Sequence, residues 1–585
     1  MKSKKWLISL GLAVVLVVSF ALPGCGGGGE PTPGGRVSFS IGTTGFYLDV
    51  ATMIVEDLQD FGLDVDLQTL DSTTFYDYLY YPQDGGMEAC VCAEDPSPDP
   101  WNDWIWMMLC NPETYGSEWN PCWYYNPEYD VLYEENYFAE TLEEKQEILY
   151  GMQEILAEDI PMVFLVREDL IAACRSDRWD NWYNMMGGYA TWINEYSIRE
   201  VTNKTADTRL NIGVANLPGN LYMNQEELQA TNVGCLYLML VYENLAGYPK
   251  LEDPGVTAYD FVPKLATDYT VSYEPDGTGG TNQVWTVNLR DDVKWHDGED
   301  FTADDVVFSL KHIISPWGRN RPVNWTAVDA RGGEDILPED ILVTKTGDYQ
   351  VQFRYIEGDH QNEDYFPCCF MWYAIVPQHK FEGQDPFEYD GEYIGTGPYK
   401  VKEFVPDDYL LLERNDDYWG ADDSYWGLPA AKEVLFKLYE NTGQFWVAFE
   451  AGQMDSSASF SVPFQKKDDY EADPNITVDV VPDLSIYWLA FNLHPTAGYE
   501  PLQDLALRQA IAAAIDKEGI VDMVFGGYAE PADSWVYLES PNHYGGPNNY
   551  GVLPNNEYDL DKAAQILEDA GYTKDDDGYW CLPAE

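Results

Sequence analysis

Trp285-Thr286-Val287-Asn288-Leu289-Arg290, then Val293-Lys294-Trp295-His296-Asp297-Gly298, then Phe301-Thr302-Ala303-Asp304-Asp305-Val306: the reading of this chain starts from these three blocks. Val284 to Leu289 alternates apolar and polar residues, the two-residue period of a half-buried strand. Asp297-Gly298 is a turn pair. Thr302, followed by Asp304 and Asp305, is an N-cap with acids in the first helical turn, where carboxylates meet the positive end of the helix dipole. Working outward, Val37, Phe39 and Ile41 alternate as a strand. Val50, Ile54, Leu58 and Phe61 share one helical face that Gly62 closes, and Leu63, Val65 and Leu67 alternate again. This is a β-α-β unit. Leu142 to Ala157 predicts a helix ending before Pro161 and a short apolar strand, Met162 to Val166. Thr202 to Thr208 is a polar link, after which Leu210, Ile212 and Val214 open a new strand. Leu507, Ile511 and Ile515 mark a late helix, and Lys562 to Ala570 another that Gly571 stops. Strands and helices alternate without a detectable repeat, so the fold class is α/β.

The chain has 585 residues, with 33 Lys and Arg against 101 Asp and Glu, a formal net charge of −68. Phosphate backbones and anionic lipid surfaces both reward cations, so this balance argues against either as a partner. The length allows about three to four domains. Lys2, Lys4 and Lys5 precede an apolar run from Trp6 to Ala21, and Leu22-Pro23-Gly24-Cys25 follows. That order is the secretory pattern, and its ending resembles the bacterial lipobox. Residues 1–24 therefore read as a signal peptide, Cys25 as the lipidated mature N-terminus, and 25–36 as a flexible tether. The expected location is outside the cytoplasm, lipid-anchored to the membrane and facing the periplasm or the cell exterior.

Nine further cysteines leave at least one thiol without an intrachain partner. Cys90 and Cys92 lack a second pair at zinc spacing, and the six His form no ligand pair. No metal or other cofactor is expected. Asp575-Asp576-Asp577-Gly578 fails the calcium-loop pattern at Thr573 and reads as a hairpin turn. There is no nucleophile elbow and no P-loop. Paired carboxylates carry no information in so acidic a chain, and no enzyme activity is expected.

The three opening blocks resemble the signature of family 5 solute-binding proteins, the extracytoplasmic receptors of peptide, dipeptide and nickel ABC transporters. Further blocks follow in order. They are Gly395-Thr396-Gly397-Pro398-Tyr399 with Leu412 to Asn415 and Tyr418-Trp419-Gly420; Ala451-Gly452 with Asp455; Phe491-Asn492 with Leu507 to Ala510 and Ala514 to Asp516; and Tyr558-Asp559 with Asp569 to Tyr572. Residues 37–200 also resemble the family, but its C-terminal portion. The resemblance thus implies a circular permutant with the old ends fused near Thr202 to Thr208; a gene fragment fused to an incomplete neighbour is the alternative. It implies a type II periplasmic-binding-protein-like fold, two lobes with an extra domain around a hinged cleft. The third domain would be residues 37–159 and 481–585, the first 160–245 and 390–480, and the second 246–389.

The resemblance further implies a receptor that captures peptides and hands them to ABC permease subunits, acting as a monomer without nucleic acid. An oligosaccharide is the second ligand, nickel chelates the third, and a non-transport interaction lipoprotein the rival from another class. Peptide-binding members hold the ligand amine with an Asp ahead of an Asp-Pro pair. Here Asp95 takes that place and Glu94 is the alternate, although this segment departs from the family by lacking its Trp and by one extra residue. Trp101, Trp104 and Trp123 are the candidate aromatic lining. His296 and Asp297 are expected to be structural.

Overall fold

The computed structural model describes residues 33–94, 109–112, 120–139, 141–191, 194–218, 221, 232–250, 253, 256, 260–275, 281–313, 342–355, 374–384, 389, 391–538, 540, 542–555 and 557–584. Cys25, Asp95, Trp101 and Trp104 lie outside the described residues.

The β-α-β unit forms as its periodicity predicts. Strand β1 (Ser38–Thr43) leads into helix α1 (Leu48–Phe61), whose buried face carries Val50, Ile54, Leu58 and Phe61. Gly62 ends the helix at φ 104°, a left-handed conformation that glycine adopts without steric cost. Strand β2 (Asp64–Thr69) then lies parallel to β1 in register. Helix α2 (Ser72–Tyr80), capped by the Asp71 carboxylate, precedes strand β3 (Ala89–Glu94), which pairs with the other edge of β1.

One sheet runs through the molecule. Among the described residues its order is Tyr399–Val405, Tyr409–Arg414, Glu433–Leu438, Arg209–Val214, Ser456–Ser457, β4 (Met162–Arg175), β5 (Ile476–Phe491), β3, β1 and β2, with Ala529–Pro531 also paired to β4. The antiparallel pair β4 and β5 crosses between two lobes. Met162–Val166 is buried in the lobe built on β1–β3, and Ile171–Cys174 in the lobe built on Arg209–Val214. Between these stretches Glu168, Asp169 and Leu170 are only half-buried, and the pairing slips between Pro482 and Ile486. The expected strand Met162 to Val166 is therefore too short: it continues through Arg167-Glu168-Asp169. Glu168 and Asp169 lie half-buried at the open crossing, where the sheet is only partly covered, whereas Arg167 is buried.

The core of the first lobe unites both ends of the described chain. Val37, Ile41, Ile54 and Leu58 pack with Leu507, Ile511, Leu567 and Trp580. Burying side chains of this size stabilises each by about 1.5–3 kcal/mol. Val37 N–H donates to Trp580 O at 2.9 Å, and Leu582 N–H to Gly35 O at 2.8 Å. Arg36 binds Asp575 at 2.6 Å and Asp577, with its guanidinium 4.2 Å from the Tyr579 ring centre. The turn at Asp575–Gly578 joins paired residues Thr573–Lys574 and Trp580–Cys581, as a hairpin should.

A separate four-stranded antiparallel sheet contains Ala266–Pro275, Thr281–Leu289, Gln350–Tyr355 and Leu342–Gly347. Its helix Ala303–Ile313 starts at a capping box. Asp304 N–H donates to Thr302 Oγ1 at 3.3 Å, and Thr302 N–H to the Asp305 carboxylate at 2.9 Å. A buried charge network ties this unit to the second lobe. Glu195 meets Arg199 at 2.8 Å and Lys264 at 2.9 Å; Glu243 meets Arg199 at 3.2 Å and Trp419 Nε1 at 2.7 Å. Two acids against two bases leave no net charge buried, the condition under which such a group is tolerated.

A candidate ligand site at the strand ends beside the lobe crossing

Strands β1 and β3 are parallel, so their carboxyl ends lie on the same edge, the place where open α/β sheets bind ligands. Glu94 is the last residue of β3 and pairs with Ile486 on β5, beside the slipped register of the crossing. Alternation puts Cys90, Cys92 and Glu94 on one face of β3, and Cys90 and Cys92 enter the core under α2. Tyr76 and Tyr80, four residues apart on α2, stack with ring centres 5.8 Å apart on that side. Tyr47, at the start of α1, stands over the strand ends. Its hydroxyl lies 3.3 Å from the Tyr76 hydroxyl, and its ring meets Tyr487 edge-on at 5.9 Å. Tyr487 in turn meets Phe525 at 5.4 Å and donates to Glu168 at 3.0 Å. The result is a row of aromatic rings over the ends of β1 and β3, with Glu94 ending β3 on the Tyr76 face of the sheet and Glu168 bonded to Tyr487 on the other. At its rim Phe46 is 82% exposed.

Burial and the Glu94 carboxylate raise the hydroxyls of Tyr47, Tyr76 and Tyr80, while the Tyr47 contact lowers Tyr76. Burial raises the Tyr76 hydroxyl to about 12, and the nearby Cys92 and Glu94 push it the same way. Tyr47 and Tyr80 are raised by burial and, among their charged neighbours, by Cys92 and Glu94 as well. The Cys92 thiol is held well above its ordinary range, first by burial and then by Glu94. Such groups stay protonated, and the row is a region of negative potential with hydroxyl donors. Cys90, Cys92, Cys110, Cys122, Cys174, Cys235 and Cys581 are buried, and among the described residues no group of three or more His, Cys, Asp or Glu is arranged to hold a metal ion.

The structure separates two residues that the sequence placed together. Trp123 adopts φ 51°, and its ring packs edge-on against His494 at 4.5 Å. It is held there because the Asn120 side chain binds Cys110 O and Tyr124 O and accepts from Cys122 and Tyr124 N–H. Leu493 N–H donates to Cys122 O, beyond the Ala89–Phe491 end of the β3–β5 ladder. Glu94 sits at the opposite end, about 17 Å away along the strand at roughly 3.4 Å per residue. Tyr47, Tyr76, Tyr80 and Tyr487 were not among the expected residues; the only sequence signal was the helical spacing of Tyr76 and Tyr80. His296 is structural: Gly395 N–H donates to Nδ1 at 3.1 Å, and Nε2 lies 2.9 Å from Gly397 O.

A sequence profile described as bacterial extracellular solute-binding proteins, family 5 Middle, matches residues 260–581. The chain belongs to family 5 of the bacterial extracellular solute-binding proteins. Family 5 proteins bind substrates for transport outside the cytoplasm, on a mixed α/β type II binding-protein fold. The oligopeptide-binding protein AppA of Bacillus subtilis is 31% identical over 306 residues, 50% of either chain. The nickel-binding periplasmic protein of Escherichia coli is 26% identical over 336 residues, 57% of this chain and 56% of its own. Among solved structures, NikZ of Campylobacter jejuni in complex with Ni(L-His) is similar at TM-score 0.44 and 20% identity, covering 65% of this chain and 66% of its own. AppA with a nonapeptide gives 0.43 at 23% identity, covering 64% and 68%. The chain thus spans between half and three fifths of these two curated relatives. Among the described residues no helix is long and apolar enough to cross a membrane.

Proposed function

We propose that this family 5 protein is the receptor of an ABC importer, capturing a small peptide between its two lobes and delivering it to the permease as a monomer tethered through Cys25. The observation that carries the reading is the crossing of β4 and β5. Among the described residues one strand pair crosses between the lobes and slips in register at its open centre, and a row of aromatic rings with Glu94 and Glu168 stands beside it. A two-strand connection is a natural hinge, and closure over the row would bury a ligand against it. Asp95, one residue beyond Glu94, remains the proposed amine anchor. An oligosaccharide is the second reading, favoured by the rings, whose faces suit sugars as well as peptide side chains.

The order of the domains is part of the proposal. We infer a circular permutant, with the third domain assembled from residues 37–159 and 481–585; the common core of Val37–Val65 with Leu507–Trp580 supports it. The deciding experiment is a thermal shift of the full chain against di- to pentapeptides, cello-oligosaccharides and nickel chelates. A ligand at 100 times its Kd adds about 2.7 kcal/mol. Stabilisation by peptides alone supports the reading. Stabilisation by sugars alone moves it to the second, and a cooperative melt that no probe shifts overturns capture of all three classes.

A further inference from the structure

Beside the crossing of β4 and β5, a turn also spans the two lobes. It follows helix Lys517–Met523 and reads Phe525-Gly526-Gly527-Tyr528. Phe525 packs against the core of the first lobe and meets the Tyr487 ring at 5.4 Å. Tyr528 packs against a core of the second, with Ile171, Phe445 and Trp446. Between them Gly526 and Gly527 take φ of 62° and 86°, which lets the chain reverse sharply, and Gly527 N–H donates to Val521 O at 3.0 Å. The Phe464 ring of the second lobe lies against Gly526, so closely that a Cβ there would stand 2.6 Å from it. Asp169 N–H, in the half-buried middle of β4, donates to Tyr528 O at 3.0 Å. Ala529–Pro531 then returns along Val166–Glu168 to the first lobe. We propose that Phe525–Tyr528 is a strap across the hinge, and that Phe464 seated on Gly526 holds the unliganded lobes at one angle. This deepens the reading of the crossing as a hinge and rests on it.

A strand pair that slips in register bends easily, so the contacts flanking it set the resting angle. Phe525 moves with the first lobe and Phe464 with the second, and rotation about β4 and β5 must therefore slide the ring across Gly526 or lift it away. The seat is built to release. Phe464 is 36% exposed, so its departure opens to solvent and leaves no cavity in either core. Lys467, three residues after Phe464, adds a weaker contact between the same elements, its ammonium 5.7 Å from the Tyr528 ring centre. The strap also reaches the candidate ligand site. Tyr47 meets Tyr487 edge-on at 5.9 Å, and Tyr487 meets Phe525 in the same way. A solute that shifts Tyr487 thus pushes on Phe525 and, through Gly526, on the Phe464 seat, which couples capture to release of the hinge.

Single-molecule fluorescence energy transfer on the full chain, without solute, tests the strap. Dyes are carried on noncanonical residues replacing Glu56 and Glu403, which are exposed and lie in different lobes. Hydrogen exchange of the Asp169 amide is read beside it. The parent is expected to hold one narrow interlobe distance. Phe464→Ala should broaden that distance and speed Asp169 exchange about tenfold, the factor that half-burial of such a ring supplies, while exchange in α1 stays unchanged. Gly526→Ala should act in the same direction in the parent and add no further broadening to Phe464→Ala, since the double-mutant cycle removes the cost of the glycine's own φ. A parent that already samples many distances, with Phe464→Ala changing neither readout, overturns the strap and leaves the hinge. One fixed distance in the parent and in both variants, with Asp169 exchange unchanged, overturns strap and hinge together. Faster exchange in α1 and at Asp169 alike marks a general loss of stability and overturns the strap, as does full additivity of the two substitutions.

Discussion

Asp57, on α1, accepts a hydrogen bond from Asp516 N–H at 3.0 Å, yet half-burial and the nearby Asp516, Asp60 and Glu56 raise it from 3.8 to about 6. Between these two values the unfolded chain has lost this proton while the folded chain keeps it. Stability is therefore present below 3.8, falls as pH rises through 6, and stays reduced above. Asp57→Asn keeps an acceptor for Asp516 N–H without the charge. It should stabilise the protein at pH 7 by about 1–2 kcal/mol after allowing for partial exposure, with the gain gone at pH 4. Urea melts of both proteins from pH 4 to 7 read this directly; a gain independent of pH would refute it. His296 acts with the opposite sign. Its Nδ1 must stay unprotonated to accept from Gly395 N–H, and burial lowers it from 6.5 to about 4, so stability is lost as pH falls through that window. The structural role of His296 was legible because it sits in a short turn between a strand and a helix cap. Tyr47, Tyr76 and Tyr80 were not legible among 43 tyrosines, since only packing separates a ring at a strand end from one in a core.

Elements differ in how far their sequences reveal them, and α1 and β4 mark the extremes. Helix α1 repeats its apolar residues at helical spacing and stops at a glycine, so its limits follow from backbone sterics alone. Strand β4 changes environment half-way, from one lobe to the other, and no single period describes it. Gly62 allows a sharp prediction. A Cβ at this position would lie 2.6 Å from Gly578 O, a backbone atom of the hairpin that packs against the helix end, and φ 104° disfavours any side chain. Gly62→Ala should destabilise the protein by about 2–4 kcal/mol, combining backbone strain with a steric clash. Gly298→Ala is the control: it has a similar φ of 94° but nothing within 4 Å, and it should cost about 1–2 kcal/mol. Equal losses in thermal denaturation would show that the contact with Gly578 contributes nothing.

At the scale of the whole molecule, the inferred permutation predicts that chain order can be changed without changing the fold. A chain in which residue 584 is joined to residue 33 through a short glycine linker, and which is reopened in the exposed link at 204–205, should fold to the same circular dichroism spectrum. It should also melt cooperatively within a few degrees of the parent, because no buried contact is cut. Collapse of that chain into a non-cooperative melt would refute the permutation. The inferred permutation was legible because each block can be read whole in the sequence, whatever its place in the succession. The stretch bearing Trp101 and Trp104 was legible as aromatic and no further, since composition does not say which way a ring faces.

The joining of residues 35–37 to 580–582 also sets how the protein bears a pull. These segments run antiparallel, side by side, with Val37 on Trp580 and Leu582 on Gly35. Tension applied through residues 33 and 584 would part them one hydrogen bond at a time, as a zipper opens, and the Arg36 clasp on Asp575 would be among the first contacts to yield. Little of that force would reach β4 and β5 until the zipper had opened.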